Sequence, residues 1–358
     1  MPLLPVVGQP LLLQPLQVLF RPDLVGTGVV PLDYVTARRA TREALRSPVP
    51  MHTQLQQGRL SRYAPTGSRE MSPLELVKLT ALMELAGGGR REMIIGLIDG
   101  PVATDHPDLT AENIRNISEP NAGTCTQADS VACMHGTFVA GILCAKKGSP
   151  APAICPNCTL LVHPIFAETN SGKADLPSAT PEQLAAAIVK TIEAGARVVN
   201  LSAALALPSS KGERKLEEAL DHALNRGVIV VAAAGNQRML GSSAITRHPW
   251  IISVVACDLL GRPISYSNLG SSIGRRGLKA PGDGITSLSV DGKPRTFGGT
   301  SAAAPFVTGT IALLYSEFPA ASAAQIKLAV TQAFAPRRTV VPPLLDAWAA
   351  YQTLAAAR

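Results

Sequence analysis

The sequence predicts an α/β fold in which a mostly parallel sheet carries helices on both faces. Short, wholly apolar runs suited to buried strands alternate with capped, amphipathic segments of helical period. A chain of 358 residues, 46% hydrophobic but only 4% aromatic, can also build one large core from Ala, Val, Leu and Ile.

Residues 1–71 show no sustained period and are rich in Pro, Arg and Gln. They read as a poorly patterned N-terminal extension, a propeptide or a disordered arm, with 36–46 as a short basic helix. The ordered domain is expected over 72–358. Ser72 and Pro73 supply a cap and a first-turn proline for a helix over 74–86, ended by three glycines at 87–89. The run 93–98 is a buried strand. A helix over 135–146 carries Phe138, Val139, Ile142 and Leu143 on one stripe, and 159–164 is the next strand. Thr180, Pro181 and Gln183 form a capping box for a helix that Gly195 stops. A strand at 197–201, an amphipathic helix at 212–226 and strands at 228–233 and 251–256 come next. A helix opened by Gly299-Thr300-Ser301 and a last one over 322–334 complete the order.

Composition excludes several function classes. The net charge is +7, and the first ninety residues hold ten Lys/Arg against six Asp/Glu. These basic residues are scattered and lack aromatic neighbours, which argues against nucleic acid as a partner. No apolar run approaches the ~18 residues of a membrane span. The apolar start has no basic flank and is broken by Pro2, Pro5, Pro10 and Pro15, so it is not a secretory signal and a cytoplasmic location is expected.

Four residues stand where an α/β sheet gathers its chemistry, at strand ends and helix starts. Asp99 follows the strand 93–98, His135 opens a helix, Asn236 follows the strand 228–233, and Ser301 opens a helix. Alone, each has an ordinary explanation: a turn Asp, a packed His, a turn Asn, an N-cap. Together they supply what acyl transfer requires. A serine hydroxyl needs an imidazole to take its proton, and the imidazole needs a carboxylate to fix its tautomer. The oxyanion needs donors, which an Asn amide and the Ser301 N–H can provide.

The strings Leu97-Ile98-Asp99-Gly100, His135-Gly136-Thr137-Phe138-Val139-Ala140-Gly141, Ala233-Ala234-Gly235-Asn236 and Gly299-Thr300-Ser301-Ala302-Ala303-Ala304-Pro305 together resemble the subtilisin-like serine proteases. Their order, Asp then His then Ser, is the subtilisin order. The resemblance spans about residues 93–335. It implies a subtilisin-like fold, Asp99, His135 and Ser301 as a catalytic triad, and Asn236 as oxyanion donor. It also implies Leu201, Ser202, Ala203 and Ala204 as the edge along which a peptide substrate lies, with Ala234 and Gly235 completing the substrate-binding set. Within the family the chain is similar to cyanobactin-type proteases that mature ribosomally made peptides. Ile98-Asp99-Gly100, the Cys-containing segment before His135 and residues 163–168 carry that likeness.

Departures from the family pattern matter as well. Ala204 and Leu205 stand where the family has glycines, and their β-carbons are expected to narrow the pocket for the residue before the scissile bond. The family's calcium loop has no match in 140–154, so no metal or other cofactor is expected. The compact propeptide domain has no counterpart in residues 1–90 either.

Of six cysteines, Cys144 and Cys257 read as small buried hydrophobes. Cys125 with Cys133, and Cys155 with Cys158, are disulfide candidates by short loop spacing, although disulfides fit poorly with a reducing cytoplasm. A zinc site using Cys155, Cys158 and His163 would lack a fourth ligand. The reading is therefore a serine endopeptidase acting on a peptide or protein. A transpeptidase or macrocyclase sharing the same acyl-enzyme, and a catalytically silent peptide-binding scaffold, are its alternatives.

Overall fold

In the computed structural model, residues 29–31, 71–117, 125–127, 129–168, 179–205, 213–332 and 337–357 are described. The chain divides into two units. One comprises Met1–Gly26 with Tyr34–Gly67, which together with the expected helix 36–46 lies outside the described residues. The other comprises Thr27–Asp33 with Ser68–Arg358 and carries every described strand and helix.

Its strands are β1 (Val29–Pro31), β2 (Ile94–Asp99), β3 (Ile114–Asn116), β4 (Thr159–Pro164), β5 (Val198–Leu201), β6 (Ala203–Leu205), β7 (Ile229–Ala233), β8 (Ile252–Cys257), β9 (Leu278–Pro281), β10 (Ile285–Ser287) and β11 (Arg295–Phe297). Its helices are α1 (Pro73–Leu76), α2 (Thr80–Leu85), α3 (Val131–Cys144), α4 (Pro181–Glu193), α5 (Glu213–Asn225), α6 (Ala244–Arg247), α7 (Ser271–Arg276), α8 (Thr300–Glu317), α9 (Ala323–Thr331) and α10 (Ala347–Ala355).

Among the described residues, seven strands form one sheet in the order β3-β4-β2-β5-β7-β8-β9, every pair parallel. Successive strand residues face opposite sides, so an all-apolar strand feeds two cores. Ile95, Leu97, Val198, Ile229 and Val231 join one core with α3 and α8. Ile98, Val199, Leu201, Val230 and Ala232 join the other with α4 and α5. Helix α8 is buried from Thr300 to Ser316 and packs along β5, β7, β8 and β9, which explains why its sequence is apolar all round.

The capping signals at Ser72 and Thr180 each close a box at a helix start, and the structure adds a third box at Ser322. Two helices differ from expectation. The segment 74–86 is broken at Lys78, whose φ is 52°, and the break turns both Val77 and Leu79 into the core. The helix that carries His135 begins at Val131 and not at His135, because Ser130 caps it by accepting from the Cys133 N–H. Strand β1 lies inside the segment read as unpatterned, and it pairs with β6. Helix α10 and the strands β9 to β11 have no periodic signal in the sequence.

Candidate active site

The parallel register sets the site at the carboxyl edge of the sheet. Ile98 is level with Leu201, and Leu201 with Ala232, so Asp99, Ser202 and the 234–236 turn emerge side by side. Asp99 ends β2 and is fully buried. Its Oδ1 lies 2.6 Å from His135 Nδ1 and also accepts from the Gly100 N–H at 2.6 Å. His135 occupies the second turn of α3 and is 9% exposed.

That contact depends on missing side chains. A β-carbon on Gly136 would lie 2.4 Å from both the Gly100 and Pro101 carbonyl oxygens. One on Gly100 would lie 2.0 Å from the Ala132 oxygen. The helix and the turn after β2 thus meet backbone to backbone, and the Thr137 hydroxyl, accepting from the Ala103 N–H at 3.0 Å, fixes them together.

Ser301 sits in the first turn of α8 behind Gly299, whose φ of 125° suits only glycine. The helix leaves its N–H without an intrahelical acceptor, at the positive end of the dipole. Pro305 has no N–H to offer the Ser301 carbonyl four residues back. That carbonyl instead faces the Ser202 hydroxyl at 3.5 Å. Asn200 accepts from the Thr308 hydroxyl at 2.8 Å and donates to Ser202 at 2.7 Å, tying β5 to α8.

Asn236 is held by its oxygen. Oδ1 accepts from the Thr300 N–H at 3.1 Å and from the Thr300 hydroxyl at 3.0 Å. The Thr300 hydroxyl in turn accepts from the Gly235 N–H at 3.1 Å. The buried Asn236 Nδ2 has no hydrogen-bond partner among the described residues. Thr300 therefore orients Asn236, a role visible in the sequence only as a hydroxyl beside Ser301.

The substrate-edge residues divide between two strands. Leu201 ends β5, Ser202 is buried beside α8, and Ala203 and Ala204 belong to β6. Ala234 and Gly235 follow β7, next to Thr300.

Cys125 is joined to Cys133. The Glu168 carboxylate gathers that loop, accepting from the Thr126 N–H at 2.7 Å and the Gln127 N–H at 3.1 Å, and from the Thr126 hydroxyl. The Cys155–Cys158 disulfide is not formed: both are buried thiols, and Cys155 Sγ donates to the Gly309 carbonyl at 3.4 Å. Burial pushes the Cys155 thiol well up from its ordinary value, whereas the neighbouring Cys155 side chain lowers Cys158. His163 does not join these thiols; its Nδ1 meets the Thr191 hydroxyl at 3.2 Å, and burial lowers its pKa. Among the described residues, Cys125, Cys133 and Glu168 are the one grouping with metal-ligand spacing, and the disulfide consumes both sulfurs. No described helix is long and apolar enough to cross a membrane.

The family model of the subtilases matches residues 90–344. Subtilisin DY of Bacillus licheniformis is 29% identical over 238 residues, which are 65% of this chain and 80% of that protein. A thermophilic serine proteinase of Bacillus sp. (strain AK1) is 32% identical over 226 residues, 62% of this chain and 52% of that protein. Among solved structures, the protease domain of PatA superposes with a TM-score of 0.66 at 28% identity, covering 75% of this chain and 98% of that one. The prenylagaramide maturation protease PagA gives 0.66 at 25%, covering 77% and 98%. The chain belongs to the subtilase family of serine peptidases.

Proposed function

We propose that this peptidase matures a ribosomally made precursor peptide, with Ser301 as nucleophile, His135 as base, Asp99 as its orienting carboxylate and Asn236 as oxyanion donor. The similarity to PatA and PagA supports the substrate class. The observation that carries the mechanism is the fully buried Asp99 carboxylate 2.6 Å from His135 Nδ1. Such a contact holds the proton on Nδ1, which leaves Nε2 as the base. Ser301 Oγ attacks the scissile carbonyl while His135 takes its proton and then passes it to the leaving amine. The Asn236 amide and the Ser301 N–H receive the oxyanion, and water releases the acyl group.

A peptide library read by mass spectrometry tests this. Each product pair should sum to the substrate plus one water. The residue before the cut should be small or medium in size, because Ala204 carries a β-carbon where the family has none. A pocket change of this size alters discrimination by only about 1–3 kcal/mol, so the outcome is a preference, relaxed by Ala204→Gly. A library left uncut would refute the reading, and products lacking the added water would make the enzyme a transferase.

A further inference from the structure

Two cysteines and a carboxylate meet beside the start of α3, and the mechanism proposed above uses none of them. Cys125 Sγ, Cys133 Sγ and a Glu168 oxygen all lie within 4.8 Å of one another. The two sulfurs are joined in a disulfide. We propose that, once this disulfide is reduced, Cys125, Cys133 and Glu168 bind one zinc ion. The loop that carries Cys125 is then held to α3 by a disulfide in one state and by a metal in the other.

Glu168 carries the argument. Its Oε1 lies 2.8 Å from Cys133 Sγ. A disulfide sulfur has no proton to donate, so the carboxylate faces the lone pairs of that atom. It is fixed there by the Thr126 N–H at 2.7 Å, the Gln127 N–H at 3.1 Å and the Thr126 hydroxyl, and such donors favour its ionised form. Cys133 is the third residue of the 14-residue helix α3, where the positive end of the dipole favours a thiolate. Reduction therefore sets a fully buried, thiolate-prone sulfur against a fixed carboxylate. A cation shared by the two relieves their repulsion. A thiol proton donated to Glu168 would relieve it as well, and metal uptake tells the two apart.

The donor set selects the ion. Two sulfurs make it soft, which favours zinc over calcium or magnesium. Three protein ligands leave the fourth tetrahedral position to water. Among the described residues, Cys144, Cys155, Cys158 and Cys257 belong to no such grouping. The exchange needs a dithiol reductant, which gives two electrons and two protons to the Cys125–Cys133 bond and leaves as its own disulfide. Zinc then displaces the two thiol protons to solvent.

Cobalt(II) titration of the full chain provides the test, because thiolate ligation gives cobalt a near-ultraviolet charge-transfer band. Wild type reduced with a dithiol and desalted without oxygen should bind one cobalt ion per chain with that band, and zinc should displace it. Protein with the disulfide intact should bind none, although its four buried thiols are still present. Cys125→Ser and Glu168→Gln should each weaken binding by about tenfold or more, and Glu168→Gln should keep the band. Cys155→Ser should bind like wild type. Circular dichroism checks each fold, and Glu168→Gln decides the matter if Cys125→Ser does not fold. Reduced wild type that takes up no metal overturns the inference in favour of the shared proton. Equal uptake by oxidised and reduced protein, or undiminished binding by Glu168→Gln, places the ion elsewhere and overturns it too.

Discussion

Thr300 shows how much a neighbour of the proposed nucleophile, Ser301, decides. Its N–H and hydroxyl both bond to Asn236 Oδ1, which turns the Asn236 amide nitrogen away and leaves it available as a donor. If Asn236 is an oxyanion donor, Asn236→Ala should lower kcat by roughly 10²–10³, the cost of one such donor in subtilisin, with little change in KM. Thr300→Val keeps the shape but removes the hydroxyl that aims Asn236, so kcat should fall by about tenfold, again at constant KM. Steady-state kinetics on a single peptide separates the cases. A rise confined to KM in either variant would make Asn236 a substrate-binding residue. The candidates Asp99, His135, Asn236 and Ser301 could be picked out of the sequence because each falls at a strand end or in a short motif. Thr300 could not, because orientation by a side chain depends on which loops meet in space.

The element that sets the site is α3, and its position is governed by contact with the turn after β2. A β-carbon at residue 136 would meet two carbonyl oxygens at 2.4 Å, and backbone at that spot cannot swing aside. Gly136→Ala should therefore destabilise the protein by about 1–3 kcal/mol and, by parting His135 from Asp99, remove most turnover. Gly241→Ala is the control, since a β-carbon there meets nothing within 4 Å. Thermal melts and turnover on both variants check the argument; a Gly136→Ala protein that melts and turns over like wild type would contradict it. Periodicity read the long helices and buried strands closely: the expected strand 159–164 is β4, and the expected helix 212–226 is α5 within a residue at each end. It failed where local pattern is silent. Lys78 breaks a helix only because Val77 and Leu79 must both be buried, and the strands β9 to β11 are too short to show a period.

For the molecule as a whole, a parallel sheet buried on both faces brings residues from distant parts of the sequence to one edge. Alternate strand residues feed one core with α3 and α8 and the other with α4 and α5, so Asp99, Ser202 and Asn236 are carried by the same sheet that α8 packs against. That architecture was legible from the alternation of apolar runs and capped helices. The pairing of Val29–Pro31 with Ala203–Leu205 was not, because its partners lie more than 170 residues apart and each run is three residues long. Everything proposed about mechanism depends on Ser301 being the nucleophile. Reaction of the protein with a fluorophosphonate, then digestion and mapping of the adduct by mass spectrometry, tests that directly. The adduct should sit on Ser301 and be absent from a folded Ser301→Ala variant; an adduct on another residue, or undiminished labelling of that variant, would contradict the account.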